Sequence, residues 1–259
     1  MGKLEGKVAL ITGAAGGLGQ SLAEGFVREG CSLFLSDLES PKLSRVVEHL
    51  RSRGATVRGA PADLRSCEQT RAVVERAVHE YGQLDVLVNN AAVSSMRPLM
   101  KLTERDWNEV LDVNVKGLFF ALQTAARHMA ERGGGSIINI ASVAGRVGRP
   151  TLLHYAASKA AVISITRSAA LALAKEQVRV NSIAPGMIDT EMLHDLQSAW
   201  NGISAADDKG TIHPSPDKVP LGRVAKPEDI VATAVYLASR DSEYMTGQTL
   251  NVCGGLVMS

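Results

Sequence analysis

A tyrosine and a lysine four residues apart, in Tyr155-Ala156-Ala157-Ser158-Lys159, form the pair in this chain best suited to moving a proton. They open an Ala-rich run, Ala156 to Lys175, that holds no Gly or Pro and many good helix formers, which predicts a helix. Residues four apart share a helical face, so the phenol and the ammonium point into one space. A free tyrosine, with a pKa of about 10, is a poor base at neutral pH. A fixed positive charge beside it favours the phenolate, and a tyrosine tuned this way can give or take an alcohol proton. Standing alone, the spacing is more often an interfacial tyrosine beside a solvated lysine. The elements that must position the pair decide between these readings.

Those elements alternate along the chain. Val8 to Ile11 is a short apolar run that suits a strand buried on both faces. It leads into Thr12-Gly13-Ala14-Ala15-Gly16-Gly17-Leu18-Gly19 and then a helical pattern ending at Gly30. Strand, glycine turn and helix are the setting of a phosphate-binding loop: the backbone approaches a pyrophosphate closely, and the helix N-terminus offers it free N–H groups. A second apolar run, Ser32 to Leu35, ends at Asp37. This lies about 20 residues past the glycines, where an acid bonds the ribose hydroxyls of NAD. A 2′-phosphate would meet that negative charge, and no Arg or Lys lies in the glycine loop or beside Asp37 in sequence. NAD is therefore expected over NADP.

The remaining strands are expected at Thr56 to Ala60, Asp85 to Asn89, Ser136 to Ala141, Val178 to Ile183 and Gln248 to Val252. Helices are expected at Leu43 to Arg53, Cys67 to Tyr81, from a Thr103 cap with Asp106 as capping-box acid to about Arg132, and over Pro227 to Ser239. Alternation over the whole length predicts an α/β fold: a single-domain Rossmann fold over residues 1–259, a doubly wound parallel sheet of seven or so strands with helices on both faces. Leu193 to Leu221 breaks the pattern with scattered Gly, Asp and Pro, too irregular for one element. Because it follows the sixth strand, a substrate lid over 190–221 is expected, against the competing reading of a surface excursion.

Composition narrows the class. Lys and Arg number 28 against 27 Asp and Glu, for a net charge of +1, so neither nucleic acid nor a membrane surface is an expected partner. Small, near-neutral ligands suit this balance better. The three cysteines, Cys31, Cys67 and Cys253, are far apart with no metal spacing, which points to reduced thiols in a cytoplasmic protein and to no metal site. No signal-peptide pattern is seen at the N-terminus, and no apolar run is read as membrane-spanning.

Together Thr12-Gly13-x-x-x-Gly17-x-Gly19, Asp37, Asp63, Asn89-Asn90-Ala91, Asn114-Val115-x-Gly117, Ser142, Tyr155-x-x-x-Lys159 and Pro185-Gly186 resemble, in order and spacing, the single-domain branch of the short-chain dehydrogenase/reductase family. Ala92 stands where Gly is more usual and Gly16 where many relatives carry a larger residue. The resemblance implies hydride transfer between a nicotinamide cofactor and a secondary alcohol or ketone. By it, Tyr155 is the acid/base, Ser142 polarises the substrate oxygen, Lys159 lowers the tyrosine pKa and bonds the nicotinamide ribose, and Asn114 kinks its helix and fixes a water in a proton relay. It assigns the pyrophosphate turn to Gly13, Gly17, Leu18 and Gly19, the adenine to Asp63 with Leu64, and the adenosine ribose to Asn90. The nicotinamide end falls to Pro185, Gly186, Ile188 and Thr190.

Candidate substrate contacts are Ser94, Ser95, Met96, Ala144, His154, Met187, Met192 and Trp200, besides Ser142 and Tyr155. Ser94, Ser95 and His154 suit a polyhydroxy compound better than an acyl chain, and the C-terminal stretch resembles that of bacterial sugar-alcohol dehydrogenases. A polyol or sugar is thus the expected substrate, against the alternatives of a 3-oxoacyl carrier-protein reductase or a hydroxysteroid-type dehydrogenase. A non-catalytic NAD-sensing regulator or a purely structural subunit would be expected to lack the intact Ser142, Tyr155 and Lys159. The resemblance also implies a homotetramer with the Thr103 to Arg132 and Tyr155 to Lys175 helices between subunits.

Overall fold

Residues 2–200 and 216–258 are described by a computed structural model of the chain. Each apolar run becomes a strand and each amphipathic run a helix. Strand β1 (Val8–Thr12) leads to α1 (Gly17–Arg28), β2 (Ser32–Asp37), α2 (Pro41–Ser52), β3 (Val57–Pro61), α3 (Cys67–Tyr81) and β4 (Val86–Asn89). After a long strap come α4 (Glu104–Leu111) and α5 (Leu118–Glu131), then β5 (Gly135–Ile140), α6 (Leu153–Leu173), β6 (Val178–Pro185), α7 (Glu191–Trp200), α8 (Glu228–Ala238) and β7 (Thr249–Val252). All strands are parallel in one seven-stranded sheet of order β3-β2-β1-β4-β5-β6-β7. The order reverses between β1 and β4, and the crevice beyond their carboxyl ends is where such sheets bind ligands.

The period-two alternation of strand side chains divides the core. Ala9, Ile11, Leu33, Leu35 and Val88 pack with Phe26 of α1, Val46 of α2 and Ile230 of α8 on one face. Leu10, Phe34, Leu87 and Ile137 pack with Val74 of α3 and Ala121 and Met129 of α5 on the other. Phe26 and Phe34 are fully buried, each contributing about 1.5–3 kcal/mol.

The helix expected from Thr103 to about Arg132 runs without a break from Glu104 to Glu131, with a π-helical turn inside it. Its start is as expected, with both arms of the capping box made between Thr103 and Asp106. The π-helical turn, Asp112–Gly117, joins α4 to α5. Gly117 permits this turn to press on the backbone of Leu64: a Cβ there would lie 2.6 Å from the Leu64 carbonyl oxygen. Asn114, expected to kink this helix, lies within the π turn.

The segment expected to be irregular begins with a regular helix. Leu193, Leu196 and Trp200 recur at helical spacing in α7, with Leu193 buried; the downstream Gly and Pro residues had masked that pattern. Residues 201–215 of the expected lid lie outside the described residues. The base of the segment is tied down, since Asp189 N–H donates to the Ala225 carbonyl and Ala225 N–H to the Met187 carbonyl, both at 2.9 Å.

The reading that no run reaches membrane-spanning length also needs correction, because α6 is long and apolar enough by length and composition. Here it packs along β6 and carries Lys159 buried.

Replacing Gly117 by Ala tests the close approach at the π turn. Overpacking of about 1–3 kcal/mol is expected to outweigh the roughly 1 kcal/mol that Ala gains over Gly in a helix. The urea midpoint should therefore fall at unchanged slope; an unchanged or higher midpoint would show that the turn yields without strain.

Candidate active site

The crevice is floored by a close meeting of β1 and β4. The Thr12 hydroxyl accepts from Asn90 N–H (3.1 Å) and Ala91 N–H (3.2 Å). The Asn90 side-chain amide donates to the carbonyls of Thr12 (3.0 Å) and Gly13 (2.9 Å). Gly13 has φ +65° and sits so near Ala91 that a Cβ would lie 2.6 Å from its Cα. Both amide hydrogens of Asn90 thus clamp the glycine loop, which leaves only its oxygens to face a ribose.

The loop suits a pyrophosphate. The N-cap of α1, Gly16, makes no side-chain cap bond and the first turn carries no acid, so its N–H groups and partial positive charge stay open to an anion. Asp37 closes the loop from β2, its carboxylate accepting Ala15 N–H and Leu38 N–H at 2.8 and 2.7 Å. Thr190 packs 3.5 Å from where a Gly17 Cβ would stand, which brings the expected nicotinamide end over the loop. Gly186 N–H donates to the Val252 carbonyl, fixing the Pro185-Gly186 turn against β7. These features fit a dinucleotide.

Two observations bear on the adenosine end. Asp63 is held by Arg65, whose Nε lies 3.0 and 2.9 Å from its two oxygens and whose Nη2 also donates to it; the guanidinium holds this carboxyl below its usual range. Its side chain is therefore engaged before any adenine contact, and Leu64 beside it is buried under Gly117. Basic residues, absent from the glycine loop in sequence, lie near it in space. Lys42 and Arg45 line a cavity of about 490 Å³ next to Ala15 and Gly17, with Lys42 bound to Glu191 of α7 at 2.8 Å.

The proton-moving group sits beyond β5. Ser142 begins a short 3-10 turn and its hydroxyl accepts Ala144 N–H at 3.1 Å. Tyr155 lies in the first turn of α6, and the Lys159 Nζ lies 5.7 Å from its ring centre. Lys159 is buried and donates to the Ile140 carbonyl at 2.7 Å. Burial pushes its pKa down to about 8. Burial pushes the Tyr155 phenol up, and the Ser142 hydroxyl beside it acts in the opposite direction. Desolvation disfavours charge on both groups, a contribution that the Tyr-x-x-x-Lys spacing does not contain.

Asn114 occupies the π turn, fully buried. Its amide donates to the Val93 carbonyl (2.9 Å) and the Ser158 hydroxyl (3.0 Å), and its oxygen accepts Val93 N–H (2.8 Å). The Ser158 hydroxyl donates in turn to the Tyr155 carbonyl at 2.7 Å. Asn114 therefore fastens the strap after β4 to the catalytic helix. Ser158, inside the Tyr-x-x-x-Lys motif, is the residue that sequence reasoning missed; a serine three residues past the tyrosine is placed for this back-bond.

Among the expected substrate contacts, Ser94 carries a buried hydroxyl without a partner among the described residues, while Met187 and Trp200 are half-buried. His154 is not available to a substrate. It is fully buried and its Nε2 lies 2.9 Å from the Ser95 hydroxyl. No group of three or more His, Cys, Asp or Glu residues able to hold a metal occurs among the described residues.

The Lys159 pKa gives a stability test. Its folded value, about 8, lies below the ordinary lysine value of 10.5, so the unfolded chain binds the extra proton between these values and native stability rises with pH across that window. Lys159→Met should abolish turnover yet raise the Tm by several degrees at pH 7, since the ionisation penalty removed is on the order of 3 kcal/mol. That difference should shrink toward pH 10.5, and a variant less stable than wild type at pH 7 would contradict the assignment.

The chain matches known proteins end to end. A family model described as short chain dehydrogenase matches residues 7–201. Galactitol 2-dehydrogenase of Agrobacterium fabrum is 41% identical over 261 residues, covering 99% of this chain and 100% of the relative. The 3-oxoacyl-(acyl-carrier-protein) reductase of Thermotoga maritima is 38% identical, covering 99% and 100%. The crystal structure of a gluconate 5-dehydrogenase from Burkholderia cenocepacia in complex with NADP and tartrate has a TM-score of 0.87 at 34% identity, covering 98% of this chain and 96% of that chain. With the family's model spanning most of its length, relatives matched over their whole sequence and the doubly wound sheet above, this protein belongs to the short-chain dehydrogenase/reductase family of oxidoreductases.

Proposed function

We propose that the protein is an NAD-dependent dehydrogenase of a polyol or sugar. The observation that carries this reading is the enclosed group of Ser142, Tyr155 and Lys159 beside a glycine loop closed by Asp37. A bound nicotinamide dinucleotide supplies the hydride acceptor or donor. Tyr155 takes the hydroxyl proton of the alcohol in oxidation and returns it to the ketone oxygen in reduction. The Ser142 hydroxyl bonds that oxygen and holds its carbon in place. Lys159 at its depressed pKa can accept or release a proton near pH 8, which suits a relay behind the tyrosine.

NAD is supported by Asp37, whose carboxylate lies where a 2′-phosphate would crowd it. NADP is the competing reading, favoured by Lys42 and Arg45 around the neighbouring cavity; the ion pair with Glu191 offsets the charge of Lys42. A polyol or sugar is supported by the galactitol dehydrogenase relative and by the Ser94 hydroxyl, unpartnered among the described residues. Reduction of 3-oxoacyl thioesters is the alternative, matching the reductase relative.

The segment 190–221 serves as substrate lid in this reading, with the Lys42 to Glu191 pair holding its helix across the cofactor crevice. A homotetramer through α4, α5 and α6 is supported by the exposed Trp107, Phe119 and Leu171. Cytoplasmic residence is supported by three free thiols.

Two experiments test the reading. NADH formation at 340 nm across polyols, sugars, hydroxy acids and simple alcohols should show turnover that Tyr155→Phe lowers by about 1,000-fold or more with NAD affinity nearly intact; strong residual activity would remove Tyr155 from its role. Asp37→Ala should weaken NAD binding and improve NADP relative to it by at least about tenfold. An unchanged ratio would favour the Lys42 and Arg45 reading.

A further inference from the structure

The first turn of α6, which carries Tyr155, lacks the device that normally steadies a helix start. Its N-cap is Leu152, with no side-chain cap bond. An uncapped turn leaves N–H groups unsatisfied and frays more readily than a capped one. Another contact falls at this point. His154, the residue immediately before Tyr155, is fully buried, and its Nε2 lies 2.9 Å from the Ser95 hydroxyl. Its Nδ1 has no hydrogen-bond partner among the described residues.

A buried imidazole with one nitrogen unsatisfied is a poor choice for core packing, since an unpaired buried polar group costs about 1–3 kcal/mol where an apolar side chain would cost nothing of the kind. Leaving Nδ1 as a bare acceptor with Nε2–H donating to Ser95 is the less costly tautomer. Burial keeps the ring neutral, opposed by Asp106 and reinforced by Arg97, the charged groups that face it. What the histidine gains for this penalty is the bond to Ser95.

Ser95 belongs to the strap between β4 and α4, which is pinned along its length. Val93 is held by Asn114 on both its N–H and its carbonyl. Arg97 N–H donates to the Thr151 carbonyl at 2.8 Å, and its Nε to Asp106 at 3.1 Å. The strap is thus a rigid ledge, and His154 is where it takes hold of the first turn of α6.

We propose that His154, through its hydrogen bond to Ser95, is a positioning residue that holds the first turn of α6 so that Tyr155 stays aligned with Ser142. This rests on Tyr155 being the acid/base, as proposed above. The bond acts in place of the missing cap, linking the helix that carries the tyrosine to a ledge fixed by the π turn and the β4 end of the sheet.

The experiment measures kcat and KM for the best polyol of the 340 nm panel, NADH affinity by fluorescence, and Tm, in Ser95→Ala, His154→Leu and the double variant. Each single variant should lose about 10- to 100-fold in kcat with KM and NADH affinity within about twofold, and His154→Leu should melt no lower than wild type. The double variant should be no slower than the worse single variant, since both remove one bond. Wild-type kcat in Ser95→Ala, additive losses in the double variant, or a parallel loss of NADH affinity would overturn the proposal. If His154→Leu does not fold, Ser95→Ala decides alone. Tyr155→Phe run beside them separates the failures: an active Tyr155→Phe, or a wild type without turnover, overturns the acid/base reading and this inference with it, whereas a dead Tyr155→Phe beside a fully active Ser95→Ala overturns the inference only.

Discussion

Lys159 is an ammonium-bearing side chain buried without a counter-ion among the described residues, its Nζ held by the Ile140 carbonyl at the end of β5. Burying a charge is tolerated only when it is paired or when the group gives up its proton, and here no carboxylate among the described residues is offered. The surroundings must therefore be rigid enough to keep the lysine in place against that penalty. A close-packed interior meets the need, because α6 lies directly along β6 and Gly145 lets the turn after Ser142 approach the Lys159 backbone so nearly that a Cβ would lie 2.6 Å from its carbonyl carbon. The same desolvation brings the lysine into the range where it can exchange a proton near neutral pH.

Around that residue, buried polar side chains join elements distant in sequence. Asn89 of β4 donates to Asn139 of β5, and Asn139 donates to Thr166 of α6, each at 2.9 Å. Asn114 of the π turn bonds Val93 and Ser158, and Ser158 bonds the Tyr155 carbonyl. Networks of this kind tie together the elements they join; the Asn89 Oδ1 is buried with no partner among the described residues. The sheet thereby sets the height of α6, the π turn sets its approach to the strap, and Ser142 and Tyr155 come together as a consequence.

The cofactor half of the crevice works by a different principle. Small residues and backbone groups dominate it: Gly13 beside Ala91, the Asn90 amide across the loop, and an uncapped α1 N-terminus. Side-chain charge enters at its edges, with Asp37 on one side and the Lys42 to Glu191 pair spanning to α7. The pair is exposed, so it contributes at most about 1 kcal/mol.

Sequence alone determined the alternation of strands and helices, the glycine loop, the residues Ser142, Tyr155 and Lys159, and Asp37 at the end of the second strand, because each is a local pattern: a period, a spacing or a turn chemistry within a few residues. Tertiary structure alone decided the rest. His154 stands beside Tyr155 in sequence and suggested a substrate ligand, yet packing turns its ring to Ser95 across the strap. Burial lowers the Lys159 pKa to about 8, a contribution that sequence spacing does not contain. Asp63 is engaged by Arg65, and Lys42 and Arg45, remote from the glycines along the chain, line the cavity next to them. In each case the deciding terms are desolvation and contacts made between separate elements, and both exist only once the sheet has brought those elements together.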